Sequence, residues 1–167
     1  MANVTDIDWR SIHRILFVCH GNICRSSMAH CLMANLLQEA GIDDVAVDSA
    51  ATSTEEIGNS IHYGARQELL RHDIPILPHR ARQLRFDDGQ KYDLFLGADT
   101  ANLANMRRML PQDTQDRSFL LLDMVGEHRG IADPWYTDNF RETWDDVLQG
   151  CQAILEQLLK SHPHRNQ

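Results

Sequence analysis

The chain has 167 residues, 43% apolar and 24% charged, the profile of one globular domain with an ordinary core. Its formal charge of −8 at neutral pH excludes a broad cationic face, and with it nucleic acid or an anionic membrane as the expected partner. No segment has the apolar length of a signal peptide or a membrane span, and Cys19, Cys24, Cys31 and Cys151 lack the spacing of a disulfide framework, so a reducing cytoplasm is expected.

Residues 15–18, Ile-Leu-Phe-Val, form an apolar run suited to a buried strand of a parallel sheet. Met28, Ala29, Leu32, Met33, Leu36, Leu37 and Ala40 then recur at helical spacing up to Gly41, and Ser26 stands where a cap is wanted. A second strand is expected over residues 45–51, a second helix over 65–72 ending near Pro75, and a third strand over 92–98. Asp99 or Thr100 should cap a third helix carrying Leu103, Met106 and Met109, and residues 118–122 form a fourth strand. After a long loop, Phe140, Trp144, Val147, Leu148, Cys151, Leu155 and Leu158 mark a long last helix. Strands alternating with helices predict a single three-layer α/β/α domain over residues 1–167, with a four-stranded parallel sheet of the flavodoxin-like kind. Residues 1–12 and 161–167 are expected to fray.

Residues 19–26 read Cys-His-Gly-Asn-Ile-Cys-Arg-Ser and join the first strand to the first helix through a tight loop. Such a loop aims backbone N–H groups and the positive end of the helix dipole at one spot, which suits a phosphate. Cys19 opens the loop and Arg25 closes it, so a thiolate and a guanidinium fork face the same phosphoryl group. The plain alternative for Cys19 is a buried strand cysteine acting as a small hydrophobe. Arg25 lies at the helix end that repels a cation, which favours anion binding over a solvated charge. Gly21 opens backbone conformations closed to other residues, and Asn22 tolerates a left-handed one. The expected phosphate-binding set is therefore His20, Gly21, Asn22, Ile23, Cys24, Arg25 and Ser26. The nine histidines show no paired-ligand pattern, and Cys19 and Cys24 lack two further ligands at zinc-like spacing, so neither metal nor cofactor is expected. No Gly-Lys-Ser/Thr follows the loop, which excludes a P-loop nucleotide hydrolase.

The loop resembles the active-site loop of the low-molecular-weight protein tyrosine phosphatases. Further matches follow in order: Asp48-Ser49-Ala50-Ala51-Thr52-Ser53, His79-Arg80-Ala81-Arg82-Gln83, Asp99 with Asn102, and Asp133-Pro134-Trp135-Tyr136. The resemblance implies a phosphatase acting on phosphotyrosine in a protein or peptide through a cysteinyl-phosphate and releasing inorganic phosphate. It implies Cys19 as nucleophile, Arg25 with the loop N–H groups as cradle, and Asp133 as general acid and then base. Without it, Asp133-Pro134 would read as a turn initiator. It further implies a hydrogen bond from Ser26 to the departing sulfur, and a supporting network of Asn22, Ser49 and His79. Ile23, Glu55, Trp135 and Tyr136 are expected to wall the cleft.

The chain departs from the family pattern at three places. Thr54-Glu55-Glu56 replaces an aromatic wall with charge, His62-Tyr63-Gly64 stands where Asp-x-Arg is usual, and Ser27 replaces a proline. Ile23 stands where related protein-arginine phosphatases tend to carry Thr, and an apolar side chain there suits an aryl ring. A protein-arginine phosphatase and a phosphate-sensing module without turnover are the alternatives. A thioredoxin-coupled arsenate reductase would need a resolving cysteine pair between Cys31 and Cys151, where there is none. A monomer is expected. Cys24 shares the compact loop with Cys19, so redox regulation through a Cys19–Cys24 disulfide is expected as well.

Overall fold

In the computed structural model, which describes residues 3–161, the first apolar run is strand β1, Arg14–Cys19. It pairs on one side with β2, Ala46–Ala51, and on the other with β3, Leu94–Gly97. Strand β4, Ser118–Leu120, pairs with β3, giving a fully parallel sheet of order β2-β1-β3-β4. The two central strands, β1 from Ile15 onward and β3, are apolar and buried because helices cover both faces.

The pleat of β1 sorts its side chains between two cores. Ile15 and Phe17 join Met28, Leu32 and Met33 of α1 (Arg25–Glu39) and Val147, Ile154 and Leu158 of α5 (Phe140–Ser161). Leu16 and Val18 face the other way, onto Leu103 and Met106 of α3 (Thr100–Met109). Helix α2 (Tyr63–Arg71) adds Ala65 and Leu69 to the first core, and a single-turn helix α4 (Pro134–Thr137) precedes α5. Because β1 feeds a helix on one face and β3 a helix on the other, their carboxyl ends part at a crevice, the usual ligand position in such sheets. Cys19 is the last residue of β1 and Asp99 follows β3 by two residues.

Some boundaries differ from expectation. Helix α1 begins at Arg25 rather than near Met28, with Cys24 at the cap position and no capping hydrogen bond, so Ser26 is not the cap. Asp99, not Thr100, caps α3, in a reciprocal box with Asn102. The fourth strand ends at Leu120 because the carboxylate of Asp123 accepts from Leu120 N–H at 2.8 Å and winds Leu121–Val125 into a 3-10 turn. Residues 3–12 are not loose: Val4–Asp6 and Trp9–Ser11 are 3-10 turns, and Trp9 and Ile12 are buried in the main core. Burying an indole offsets the entropy of ordering a short polar segment. Of the tail expected to fray, Ser161 ends α5 and residues 162–167 lie outside the described residues.

Candidate active site

The loop after β1 winds back over its own first residue. Asn22 adopts φ 62°, the left-handed conformation that asparagine tolerates, and this turn brings its backbone N–H to 3.2 Å from Cys19 Sγ. The Asn22 side chain is fully buried and its orientation follows from its partners. Arg82 N–H can only donate, so Asn22 Oδ1 is the atom that accepts it, at 3.2 Å, and Nδ2 donates to Ser26 Oγ at 2.8 Å. Ser26, accepting there, has its own proton free for Cys19 Sγ, 3.0 Å away. The order Asn22 to Ser26 to Cys19 therefore directs two donors onto the sulfur.

His79 braces this loop from behind. His79 Nε2 lies 2.6 Å from the carbonyl of Asn22, an acceptor only, so Nε2 carries the proton. Burial lowers the His79 pKa, opposed by that bond and by Asp48. His30, on α1, meets Ser49 Oγ at 3.3 Å through Nδ1, and burial lowers its pKa too, with Asp48 opposing and His79 adding to the drop. Ser49 thus bonds to His30 and not to Asn22 or His79 as expected. The cause is register: Ser49 pairs with Phe17, two residues short of Cys19, and so lies below the loop.

Arg25 is only 3% exposed at the N-terminal end of a helix, where a bare cation is doubly unfavourable. Three oxygens compensate. NH1 donates to Asp99 Oδ2 at 2.7 Å and to the Ile131 carbonyl at 2.9 Å, and NH2 donates to Asp133 Oδ2 at 3.3 Å. Burial acts to lower the Arg25 pKa, but the negative charges of Cys19, Asp99 and Asp133 outweigh it and hold it above the ordinary value. Its Nε is buried and has no hydrogen-bond partner among the described residues. A buried guanidinium donor left over in a cleft that also holds a thiol is suited to seat an anionic oxygen.

Asp133 stands at the N-cap of α4, where its Oδ1 accepts from Trp135 N–H at 3.1 Å while Oδ2 faces Arg25. A rigid turn of Asp-Pro thus presents a carboxyl to the same cleft as Cys19. The cleft measures about 340 Å³, with Cys19, Ile23 and Arg25 in its base and Glu55, Trp135 and Tyr136 in its walls. Tyr136 is 83% exposed and Trp135 58%, so both stand up as a rim. Gly21 and Cys24 also line the cleft. Burial, then the negative charges of Cys19 and Asp133, push the Cys24 thiol up to about 12, which keeps it protonated.

Several contributors were not legible beforehand. Asp99, expected as a cap and matched to the family with Asn102 but given no part in the site, divides the work of its two oxygens: Oδ1 caps α3 and Oδ2 binds Arg25. Arg82 was noticed only within a motif; the signal for His30 was its position one helical turn after Ser26. His20 Nε2 meets Glu55 Oε2 at 2.5 Å, tying the loop to the cleft wall across 35 positions. Among the described residues there is no group of three or more His, Cys, Asp or Glu placed to hold a metal, and no helix long and apolar enough to cross a membrane.

Comparison with known proteins agrees with this geometry. A family model described as low molecular weight phosphotyrosine protein phosphatase matches residues 14–164. The chain is 30% identical over 154 residues to low molecular weight phosphotyrosine protein phosphatase 1 of Drosophila melanogaster, covering 89% of this chain and 99% of that one. It is 33% identical over 147 residues to the low molecular weight protein-tyrosine-phosphatase PtpA of Staphylococcus epidermidis, covering 87% and 94%. Among solved structures, YfkJ from Bacillus subtilis superposes with a TM-score of 0.85 at 33% identity, covering 90% of this chain and 96% of that one.

Proposed function

Since the chain belongs to the low molecular weight phosphotyrosine protein phosphatase family, and is an enzyme that hydrolyses phosphotyrosine with a cysteine nucleophile, we propose that Cys19 is that nucleophile, Arg25 its phosphate clamp and Asp133 its acid and base. The observation that carries this assignment is the buried, partnerless Nε of Arg25 in the cleft that also holds Cys19.

In the first step the Cys19 sulfur attacks phosphorus and the bond to the tyrosyl oxygen breaks. Asp133 gives its proton to that oxygen, so tyrosine leaves neutral. The three equatorial oxygens gather charge, which Arg25 and the loop N–H groups offset, the latter adding the helix dipole. In the second step Asp133, now a carboxylate, takes a proton from water as the water oxygen attacks phosphorus. The P–S bond breaks, Ser26 O–H stabilises the departing sulfur, and inorganic phosphate is released. Asn22, through Ser26 and through its own N–H, holds the sulfur in line; His79 and Arg82 hold Asn22.

The substrate is a phosphoprotein, and the enzyme works on it as a single-domain monomer in the cytoplasm, without metal, nucleic acid or membrane; the charge of −8 argues against the last two. Ile23 favours the aryl ring of phosphotyrosine over phosphoarginine, and Glu55 and Glu56 disfavour acidic flanking residues. The test is Cys19→Ser, which abolishes turnover of p-nitrophenyl phosphate while phosphate still binds, together with a panel of phosphotyrosine and phosphoarginine peptides. Turnover near wild type in Cys19→Ser, or faster release from phosphoarginine, refutes the assignment.

A further inference from the structure

The proton donor sits on a turn that projects from the body of the protein, and the structure shows what steadies its far side. Beyond Pro134, the side chains of Trp135 and Tyr136 are mostly exposed, and Asp138 turns the chain away at φ 57°. Trp135 nevertheless meets one ring edge to face: that of His62, with centroids 5.7 Å apart and planes at 78°. His62 belongs to neither the phosphate loop nor the acid turn. It is the cap of α2, reached through 37 residues of chain after Arg25.

His62 is itself held from three directions. Its backbone N–H donates to the carbonyl of Ile23, in the phosphate loop, at 2.8 Å. Its Nδ1 accepts from Gly64 N–H at 3.0 Å, which fixes χ1 and the ring plane as the cap of α2. Its ring stacks on Phe140 of α5, with centroids 5.1 Å apart and planes at 17°. Phe140 in turn packs under Ile23 and Cys24 of the phosphate loop. That stack exists only because residue 64 is glycine: a Cβ there would collide with the edge of the Phe140 ring. Within His62-Tyr63-Gly64, one of the places where this chain departs from the family pattern, His62 therefore supplies the bracing ring and Gly64 the space for its partner.

We propose that His62 is a positioning residue for the reaction: through the edge of Trp135 it fixes the turn that carries Asp133, and through Ile23 it references that turn to the phosphate loop. The proposal rests on Asp133 being the acid. A carboxyl held by one hydrogen bond to Trp135 N–H and one to Arg25 is aimed only as well as Trp135 is held. Aim matters because a misplacement of about 1 Å costs up to about a hundredfold in rate. The stacking energies themselves, about 1 kcal/mol per ring pair, are enough to shift the turn between two populated positions.

The experiment compares kcat/KM for phenyl phosphate, a poor leaving group, with that for p-nitrophenyl phosphate, a good one. His62→Ala should lose about tenfold on phenyl phosphate and less than about twofold on p-nitrophenyl phosphate, while inhibition by inorganic phosphate is unchanged. His62→Phe keeps the ring between Phe140 and Trp135 and should recover most of the loss; His62→Asn keeps the cap of α2 and should not. In an Asp133→Ala background His62→Ala should have no further effect on the leaving-group ratio. Equal losses on both substrates, a weakened phosphate inhibition, rescue by Asn rather than Phe, or an undiminished effect in the Asp133→Ala background would each overturn the proposal. A leaving-group ratio that Asp133→Ala leaves at the wild-type value would overturn the acid assignment instead, and so separates the two.

Discussion

Replacing Asn22 tests whether the loop's shape is held by its one internal amide. The side chain makes two buried hydrogen bonds, to Ser26 Oγ and from Arg82 N–H, and the backbone sits at φ 62°. Each bond is worth about 1 kcal/mol net, rising to about 3 kcal/mol where the abandoned partner stays buried and unpaired. Ser26 keeps Cys19 as a partner, whereas Arg82 N–H is left facing the hole. Asn22→Gly should therefore cost about 2–4 kcal/mol of stability. Asn22→Ala should cost about 1 kcal/mol more, because alanine carries the strain of a left-handed backbone that glycine does not. Urea unfolding followed by far-UV circular dichroism gives both values from the shift in midpoint at constant slope. In both variants kcat should fall further than KM rises, since Ser26 Oγ, freed from Asn22, no longer has its proton directed onto the sulfur while Arg25 is untouched. Two variants within about 0.5 kcal/mol of wild type, or a glycine variant less stable than the alanine one, would refute the claim that this amide and its backbone conformation hold the loop.

Three further outcomes follow from the same contacts. Arg25→Lys should reduce kcat about a thousandfold, since an ammonium cannot satisfy Asp99, Ile131 and Asp133 while also reaching a phosphoryl oxygen; a loss below about tenfold would place Arg25 outside the reaction. Stability should fall as pH drops from neutral through the depressed pKa values of His30 and His79, because the unfolded chain binds protons there, near pH 6.5, that the folded protein refuses; His79→Gln should flatten that acid limb in a urea titration across pH, and an unchanged limb would contradict the burial argument. Peroxide should link Cys19 to Cys24 reversibly, but slowly at neutral pH and about tenfold faster per pH unit, because a thiol pushed up to about 12 is rarely the attacking thiolate; mass spectrometry at two pH values checks this, and a pH-independent rate would show that Cys24 is not the resolving group.

The central strands and the helices of the core were legible because their signal is apolar periodicity. Much of what was missed is buried but polar. Arg25, Ser26 and Ser27 are nearly inaccessible, yet a hydrophobic pattern passes over them, so α1 was expected to start at Met28 instead of Arg25. Trp9 and Ile12 are isolated among polar residues with no period to reveal their burial. In the site, Cys19 and Arg25 could be read from eight contiguous residues, whereas Asp99, His30, Arg82 and His62 are brought in by sheet order and helix packing, which spacing along the chain does not encode. Ser49 shows the converse error: it belonged to a recognised motif, but strand register, not motif membership, chose His30 as its partner.

The partners of Arg25 lie 74, 106 and 108 positions further along the chain. During synthesis, Cys19 and Arg25 leave the ribosome long before the segments bearing Asp99, Ile131 and Asp133 exist. A nascent chain thus carries its thiol next to an arginine with no oxygens to orient it, and cannot dephosphorylate anything in its vicinity. Activity appears only when the segment that carries Ile131 and Asp133 docks against the phosphate loop, so catalysis in this protein reports the docking of a late-made segment. Any condition that loosens the docking of that late segment should silence the enzyme while leaving the sheet, and the cysteine in it, intact.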